Sequence, residues 1–351
     1  MTVEISTLLH KEAIRPVTLS QENMGFYSRY FLVKKKASSS LRPILDLRCL
    51  NKTLQRIPMK MLTHRHLFRS IRRGDWFTSV DLKDAYFHIP IVERHRKYLR
   101  FAFQNKSYEF CVLPFGLSLA PKVFSMTLDR ALAPLRSRGI RVLSYLDDLL
   151  ILADKRERAE VDTRTVISHL HDLGFVLKWG KSALTPSQNT TYLGLELDSV
   201  SMRARLTQER RLKIISAARG MVQSHTATAR QFMVLLGLMA ASTAVVPLGL
   251  LRMRPLQKWF ISQRVNPRVD LHRVMALSAQ CQEALRFWVI PRNFTSGVRL
   301  GPVTHRVVIK TDAPPIWMGG QSARVRRPVA SGKWTRTVTS MCWNWKQYGW
   351  P

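Results

Sequence analysis

Two short apolar runs on either side of an acidic step form the clearest pattern along the chain. Residues 140–144 are rich in apolar side chains, Tyr145-Leu146-Asp147-Asp148 follows, and residues 149–153 are wholly apolar. This pattern is typical of two β-strands joined by a tight turn. Such turns usually contain Asn-Gly or Asp-Gly, because their central residues adopt a positive φ. Two adjacent anions are a costly replacement, so we expect the turn to hold a cation such as Mg²⁺.

A second strand-like segment, Trp76 to Val80, ends at another aspartate, Asp81. Asp81 precedes Asp147 by 66 residues, which leaves room for a helix and for strands that bring the two carboxylates together. Two aspartates on neighbouring strands can hold the paired Mg²⁺ ions that act in phosphoryl transfer. Simpler interpretations remain open: a solvated acidic turn at Asp147–Asp148, and a helix N-cap at Asp81, where aspartate is favoured.

Elsewhere the spacing of apolar positions mostly predicts helices. Apolar residues that recur every three or four positions indicate an amphipathic helix, whereas strict alternation indicates a strand. On this basis the chain should contain a basic helical segment over residues 60–75, helices over about 121–138 and 154–173, a hairpin over 189–206, and further helices over 207–260.

The segment from Phe232 to Leu251 contains 20 residues without a charge and lies between Arg230 and Arg252. By length alone it is a transmembrane candidate. It also contains several glycine, serine, threonine and proline residues, which weaken that interpretation. We therefore expect a buried helix that breaks near Pro247, and no membrane partner.

The charge of the chain narrows its partners. It has 56 Lys and Arg against 23 Asp and Glu, which gives a net charge of +33. An excess of this size favours a polyanionic partner such as nucleic acid. The basic residues run from one end of the chain to the other, which suits a long groove better than a tail. A hydrophobic content of 46% and nine Trp are more than a small ribosomal-type basic protein would carry.

The cysteines indicate neither a zinc site nor a disulfide framework. Cys49, Cys111, Cys281 and Cys342 are widely spaced, without a Cys-x-x-Cys pair. Residues 1–15 mix charged and apolar side chains and do not resemble a signal peptide. We expect an intracellular protein, in the cytoplasm or the nucleus, and not a secreted one.

The motifs described above resemble those of reverse transcriptases in order and spacing. Asp81 to Phe87, Leu113 to Pro121 and Tyr145 to Asp148 resemble the palm motifs of that family. The amino-acid sequences of these motifs are most similar to those of DIRS-like retrotransposons, which pair this polymerase with a tyrosine recombinase. The other matching segments are Lys34–Lys36 with Arg42–Asn51 upstream, and Leu173–Phe175 with Lys181 and Tyr192–Gly194 downstream.

The resemblance covers roughly residues 10–330 and implies an α+β fold, the right-hand polymerase. Its fingers, palm and thumb would be followed by a connector and by the start of a ribonuclease H domain. The implied division is an N-terminal arm (1–25), fingers and palm (26–198), thumb (199–260), connector (261–304) and a truncated ribonuclease H-like segment (305–351).

The resemblance also implies a reaction, the transfer of a nucleotide from a dNTP to a primer 3′-hydroxyl on an RNA template. Asp81 and Asp147 would be the main ligands of two Mg²⁺ ions, for which Mn²⁺ could substitute. Asp148 would support them, and the Leu82 carbonyl would be a further ligand. Catalysis of this kind depends on positioning and charge neutralisation rather than on covalent chemistry by the protein.

Several further residues would bind the nucleotide. Lys35 and Arg42 would grip its phosphates, although a solvated charge on a hairpin is the simpler interpretation of both. The amides of Asp84 and Ala85 would face the triphosphate. The Tyr86 ring would exclude a 2′-hydroxyl from the sugar site, unless it is an ordinary core aromatic. Phe115 would pack against the nucleotide, and Gly116 would allow close backbone approach to substrate or template.

Two more motifs complete the implied site. Lys181 would donate a proton to the departing pyrophosphate, with Lys178 as its rival and a surface lysine as the simpler interpretation. The primer grip would consist of Tyr192, Leu193 and Gly194, acting mainly through backbone. We assign no role to any histidine, because none has ligand spacing.

The last segment resembles the first strand of a ribonuclease H domain, in which Asp312 would be the first metal ligand. No Asp or Glu follows Asp312 in this sequence. Cleavage of an RNA–DNA hybrid needs several carboxylates around its metal ions. We therefore expect no ribonuclease H activity from these residues. We also expect the sequence to begin inside a larger element and to end within its ribonuclease H domain.

Two other functions remain open. An RNA-directed RNA polymerase shares paired palm aspartates, but Tyr86 and the fingers motifs argue against it. A decayed element copy would bind nucleic acid without catalysis. The intact palm carboxylates, with Lys35 and Arg42, argue against decay in the polymerase region, whereas the shortened C-terminal segment argues for it in the chain as a whole.

Overall fold

The computed structural model describes residues 2–34, 41–55 and 57–302. The first part of the chain consists of strands and short helices, several of which pack around a core that includes Leu45, Phe101 and Phe110. Its elements are α1 (Thr2–His10), β1 (Ile14–Pro16), β2 (Arg29–Lys34), β3 (Leu41–Asp46), α2 (Arg48–Thr53), α3 (His64–Ser70), β4 (Trp76–Asp81), α4 (Glu93–Arg96), β5 (Arg100–Phe103) and β6 (Lys106–Phe110).

The second part alternates longer helices with short strands. Its elements are α5 (Ala120–Ser137), β7 (Arg141–Tyr145), β8 (Asp148–Ala153), α6 (Arg156–Asp172), β9 (Ala183–Ser187), β10 (Asn189–Tyr192), β11 (Leu195–Asp198), β12 (Arg203–Leu206), α7 (Gln208–Ser224), β13 (Thr226–Thr228), α8 (Ala229–Ser242), α9 (Gly249–Ser262), β14 (Val274–Ala276), α10 (Ala279–Val289) and β15 (Val298–Arg299).

The aspartate motifs meet in one antiparallel sheet, with the strand order β7-β8-β4-β9. Its central strand β8 is a continuous apolar run because both of its faces are covered. Leu149 and Ile151 join one core cluster, which includes helices α5 and α6. Leu150 and Leu152 point to the opposite side and join a second cluster, which extends to helices α7 to α10. The sheet is therefore held from both sides, and its strand ends are fixed in position.

The other strands of the first part form two smaller β-sheets, which contact each other through β2 and β5. Strands β2 and β3 form an antiparallel hairpin. Strand β1 comes from the first 25 residues and pairs with β6, in a sheet of order β1-β6-β5. A buried ion pair stabilises that sheet: the Arg100 Nε lies 2.9 Å from Glu109 Oε2, and Glu109 also accepts from Arg15.

The helices after the central sheet form a second lobe. Helices α7, α8, α9 and α10 surround a core that includes Phe232, Leu285 and Trp288. A four-stranded sheet of order β10-β11-β12-β15 lies beside them. Its strand β10 leads directly from the central sheet, and the β10–β11 turn carries the Tyr192–Gly194 motif.

Helix α5 confirms the prediction for residues 121–138, and α6 confirms the one for 154–173. The segment 232–251 is broken as expected, since α8 ends at Ser242 and α9 begins at Gly249. Among the described residues, none of the helices combines the length and the apolar character that a membrane crossing requires.

Two local predictions were wrong. Residues 60–75 were expected to be helical, but only His64–Ser70 form a helix, because the Thr63 side chain caps it and Ile71 returns to extended backbone. Residues 189–206 were expected to form one hairpin. They form the three strands β10, β11 and β12, with Met202 at a positive φ of 53° in the second turn.

Candidate active site

The Tyr145–Asp148 motif is a two-residue hairpin turn. Tyr145 pairs with Asp148, so the turn residues are Leu146 and Asp147, and Asp148 already belongs to β8. Leu146 has a φ of 53°, while Asp147 is not among the positive-φ residues. A positive φ at the first turn residue is the type II′ pattern, which normally has glycine there. Leucine in this conformation is strained, a condition that is concentrated at functional sites.

Strand pairing brings Asp81 next to this turn. Asp81 is the last residue of β4 and lies directly opposite Asp148 of β8. The Leu82 amide donates to the Asp147 carbonyl at 2.9 Å, which fixes the turn against the end of β4. The helix N-cap interpretation of Asp81 was wrong, because the next helical turn begins only at Ala85. The three carboxylates therefore lie together at one end of strands β4 and β8.

The carboxylates perturb one another electrostatically. The pKa of Asp148 is raised to about 6. Burial is the largest cause, and the charges of Asp147 and Asp81 add to it. Burial also raises the pKa of Asp81, with the Asp147 charge as the next cause. The side chains of Asp81 and Asp148 also interact directly, which lowers the pKa of Asp81 and raises that of Asp148. These groups repel when all are ionised, so a cation placed between them would be stabilised.

Lys181 and Tyr192 complete the surroundings of this pair. A cavity of about 110 Å³ is lined by Asp81, Asp148, Lys181 and Tyr192, among others. The positive charge of Lys181 lowers the pKa of both aspartates, against the raising effect of burial. The Tyr192 hydroxyl donates to the Asp148 carbonyl at 3.0 Å. Lys178 also acts on Asp81 electrostatically, so the structure brings both candidate lysines toward the carboxylates.

The donor set fits a hard divalent cation. Within the described part of the chain, no group of three or more His, Cys, Asp or Glu side chains forms a preassembled metal cage. Mg²⁺ rarely uses such a cage, since it keeps several waters and is bound by one or two carboxylates with substrate phosphates. Asp81 and Asp148 lie opposite each other on neighbouring strands, and the pKa of Asp148 is raised. This pair of carboxylates matches that requirement.

The segment after β4 forms a short 3₁₀ helix, Ala85–His88, which we call the Tyr86 turn. Asp84 precedes it in left-handed conformation with a φ of 49°. The Lys11 Nζ of the N-terminal arm pairs with the Asp84 carboxylate at 2.6 Å. Ala85 is buried, so the turn is anchored at its start.

The aromatic predictions Tyr86 and Phe115 lie together. Their ring centroids are 5.1 Å apart, and Tyr86 also packs edge-on against buried Phe124 of α5 at 5.9 Å. Both rings are half-buried, between the Tyr86 turn and the Leu113–Pro121 loop. The Tyr86 side chain is thus a supported ring with one part accessible, and not a fully buried core aromatic.

Gly116 approaches protein backbone closely. Its φ is 111°, and a Cβ added to it would overlap the Leu45 carbonyl oxygen of β3. The Gly116 carbonyl accepts from Asn51 Nδ2 at 2.8 Å, and Asn51 Oδ1 accepts from the Ser118 amide. The close approach that the structure shows at Gly116 is to β3, whereas the predicted approach to substrate or template stays a prediction.

The Tyr192–Gly194 segment forms the tight turn between β10 and β11. Leu193 has a φ of 51° and Gly194 a φ of 74°. The Arg210 guanidinium from α7 lies against Gly194, where a Cβ would overlap it. A backbone held in this way can present its own polar groups to a ligand, as the sequence prediction requires.

Three predicted residues cannot be placed in the same detail. Lys35 and Asp312 lie outside the described residues. Arg42 pairs with Val33 through the β2–β3 ladder, and its side chain is outside the description.

The sequence analysis missed four residues that support the site: Lys11, Asn51, His88 and Arg210. Each acts on a motif through a contact that is distant in sequence, such as the 73 positions between Lys11 and Asp84. Asn51 was inside a recognised motif, but its local sequence does not single it out. The other three carry no signal in a single sequence.

A larger cavity of about 990 Å³ lies beside the aspartate turn. Its walls include Leu143 to Leu146 of the hairpin, the inner side of α5, and residues 59–72. Lys60, Arg69 and Arg72 contribute exposed positive charge along one wall. The cavity thus places a basic surface beside Tyr145 and Leu146, the residues that directly precede Asp147.

Comparison with known proteins gives consistent matches. Residues 33–197 match the profile of the family described as reverse transcriptase (RNA-dependent DNA polymerase). The chain is 28% identical over 193 residues (52% of its length) to the Gag-Pol polyprotein of walleye dermal sarcoma virus. It is 31% identical over 189 residues (51% of its length) to that of avian leukosis virus subgroup A. It spans only 11% and 12% of these two curated relatives.

Solved structures match over a longer range. A foamy viral protease-reverse transcriptase in complex with double-stranded DNA has a TM-score of 0.70 and 20% identity, over 92% of this chain and 51% of that one. The foamy viral protein in complex with an RNA/DNA hybrid has a TM-score of 0.69 and 19% identity, over 92% and 40% respectively. The chain therefore shares the fold of these solved structures over most of its length, and its residues 33–197 are similar to the reverse transcriptase (RNA-dependent DNA polymerase) family.

Proposed function

We propose that the chain is an RNA-directed DNA polymerase that transfers nucleotides from dNTPs to a primer 3′-hydroxyl. The observation that carries this proposal is the Asp81–Asp148 pair, with Asp147 beside it, at one sheet edge inside the reverse transcriptase domain. Burial and the charges of neighbouring carboxylates raise the pKa values of Asp81 and Asp148, and carboxylates perturbed in this way are candidates for a functional site. A solvated acidic turn would not combine these features.

The proposed metal ligands are Asp81, Asp147, Asp148 and the carbonyl of Leu82. They would hold two Mg²⁺ ions, or Mn²⁺ in substitution. When bound, these ions neutralise charge on the triphosphate and on the attacking and leaving oxygens. The raised pKa of Asp148 supports this assignment, because a cation favours the ionised form that burial disfavours.

The chain's own side chains would orient the nucleotide. The Tyr86 ring, supported by Phe115 and Phe124, would lie under the sugar, where a 2′-hydroxyl would collide with it. The amides of Asp84 and Ala85 would face the triphosphate, and Lys35 with Arg42 would hold its phosphates. Lys181 is exposed and its charge reaches both Asp81 and Asp148, so it is placed to protonate the leaving pyrophosphate.

The larger cavity would receive the template and primer. It combines a volume of about 990 Å³ with the exposed charges of Lys60, Arg69 and Arg72. A basic groove of this kind binds the phosphate backbone independently of sequence. Tyr192 and Leu193 line the smaller cavity beside Asp81 and Asp148, and the Tyr192–Gly194 turn would hold the primer end through backbone.

The direct test is primer extension by purified protein on an RNA template with a DNA primer, dNTPs and Mg²⁺. We expect extension that is lost with EDTA and restored by excess Mg²⁺. A preference for NTPs would instead support an RNA-directed RNA polymerase. Template–primer binding without extension, in either Mg²⁺ or Mn²⁺, would support a decayed copy that only binds nucleic acid.

The finer assignment to DIRS-like retrotransposons is also a proposal, and it rests on the wording of the motifs. These elements carry a tyrosine recombinase, so the sequence flanking this reading frame should encode one. A retroviral-type integrase in that position would contradict the assignment.

A further inference from the structure

The segment that leads to Lys181 is tied to the Tyr86 turn by a histidine. Val176 donates its amide proton to Nε2 of His88 at 2.9 Å. Nε2 is therefore unprotonated, and in the neutral ring the proton lies on Nδ1. Nδ1 is 3.0 Å from the Ala85 carbonyl, which can only accept, so both ring nitrogens are used.

The two segments joined in this way carry different parts of the proposed site. His88 is the last residue of the Tyr86 turn, whose ring would select the sugar. Val176 precedes the 3₁₀ helix Trp179–Lys181, which we call the Lys181 turn. Main-chain bonds already anchor this segment to the end of β4, from Lys83 N–H to the Val176 carbonyl and from Lys178 N–H to the Asp81 carbonyl.

Aromatic packing closes the same connection on its inner side. The His88 ring lies 5.2 Å from that of Phe175, and Phe175 lies 6.4 Å from Phe124. Phe124 in turn supports Tyr86 at 5.9 Å. Phe124 and Phe175 are buried, so a displacement of His88 would be transmitted to the support of the Tyr86 ring.

We propose that His88 is a positioning residue, which holds the Lys181 turn in register with the Tyr86 turn. This inference rests on the proposed polymerase function. The contacts of His88 described above are with Ala85, Val176 and Phe175 and not with the carboxylates, so its effect on kcat would pass through the position of Lys181. Small displacements of a catalytic group can cost about 10²-fold in rate, which makes such a link measurable.

Three substitutions separate the hydrogen bonds from the packing. His88→Phe keeps a ring against Phe175 and removes both bonds. His88→Asn is too short to reach the Val176 amide. His88→Gln can still present an oxygen acceptor near the former Nε2. Val176→Ala is the matched control, because it trims an exposed side chain and keeps the amide donor.

The test is a double-mutant cycle in primer extension with Mg²⁺, read as kcat and as KM for dNTP. His88→Phe should lower kcat about 10- to 100-fold, while the template–primer Kd and melting temperature stay close to wild type. His88→Asn should show the same loss, which keeps the test intact if the Phe variant does not fold. His88→Gln and Val176→Ala should stay within about threefold of wild type.

The decisive measurement repeats His88→Phe in the Lys181→Ala background. If His88 acts by placing Lys181, the second loss should be less than about threefold, because residues that act as one unit are not additive. Multiplicative losses, or a wild-type kcat in His88→Phe, would refute the positioning role alone. A wild-type protein with no extension activity would refute both this inference and the proposed function.

Discussion

At the residue scale, the proposed chemistry depends on three carboxylates that strand pairing brings together. Asp147→Asn and Asp81→Asn should each lower the extension rate by about 10³-fold, equivalent to about 4 kcal/mol of transition-state stabilisation. Template–primer affinity should remain, since it depends on many Lys and Arg contacts. The check is kcat from single-nucleotide extension together with Kd from a filter or polarisation assay.

Asp154→Asn serves as the control for this prediction. Asp154 follows β8 directly and is exposed. Its substitution therefore removes one negative charge without changing Asp81, Asp147 or Asp148. It should leave kcat unchanged. Extension at a tenth of the wild-type rate in Asp81→Asn or Asp147→Asn would show that the residue is not an essential ligand.

Tyr86 should decide between deoxyribose and ribose. Tyr86→Ala should lower the ratio of kcat/KM for dNTP over NTP by at least about tenfold, since it removes the ring that opposes a 2′-hydroxyl. Tyr86→Phe keeps the ring and its contacts with Phe115 and Phe124, so the ratio should not change. An unaltered ratio in Tyr86→Ala would leave Tyr86 with a packing role only.

At the element scale, Gly116 shows how a motif residue joins two layers. Its φ of 111° and the overlap of an added Cβ with the Leu45 carbonyl make Gly116→Ala doubly unfavourable. Gly139, which ends α5 with a φ of 84°, has nothing within 4 Å of an added Cβ. Gly139→Ala should therefore cost only the backbone term of about 1–2 kcal/mol.

Gly116→Ala should cost at least about 1 kcal/mol more than Gly139→Ala, the lower end of typical overpacking penalties. Urea unfolding followed by tryptophan fluorescence would give both free energies of unfolding. Equal losses in the two variants would mean that β3 moves away from Gly116 without cost, and that the loop is not packed as described.

The elements also show which parts of the fold a single sequence can predict. Helix α5 and the β7–β8 hairpin follow from local patterns, apolar spacing in one case and two apolar runs around a turn in the other. Strand β1 could not be predicted, because three residues carry no period and its partner β6 lies about 94 positions away. The β10–β12 meander was taken for one hairpin because alternation does not reveal a second turn.

The same limit applies within the site. The positions of Asp81, Asp147 and Asp148 at strand ends were predictable from the apolar runs beside them, whereas their roles stay predictions. The Lys11–Asp84 ion pair and the His88 link were not, since each depends on a partner that only the folded chain brings near. The positive φ of Leu146 was equally hidden, because leucine normally argues against such a turn.

At the scale of the whole molecule, the proposed arm, fingers and palm, thumb and connector share packing across their boundaries. Strand β1 of residues 1–25 pairs with β6, and α10 of residues 261–304 packs against α7. The division therefore stays a prediction about function, and these contacts suggest that the segments are not independent in folding.

The charge of the whole molecule leads to a prediction about salt. The chain has a net charge of +33, and its Lys and Arg residues are spread along the sequence. These side chains should contact many phosphates of the template and primer. Each contact releases counterions, so a footprint of about 6–10 phosphates would lower affinity about 10³- to 10⁵-fold between about 50 and 200 mM salt. The measurement is Kd for an RNA–DNA template–primer as a function of KCl concentration, without dNTP.

Lys60→Gln and Arg69→Gln, on the wall of the larger cavity, should each reduce the slope of log K against log salt by about one. Arg292→Gln, an exposed arginine away from that cavity, is the matched control and should leave the slope unchanged. A flat salt response in the wild type, or equal slopes in all variants, would mean that this basic wall does not contact the nucleic acid.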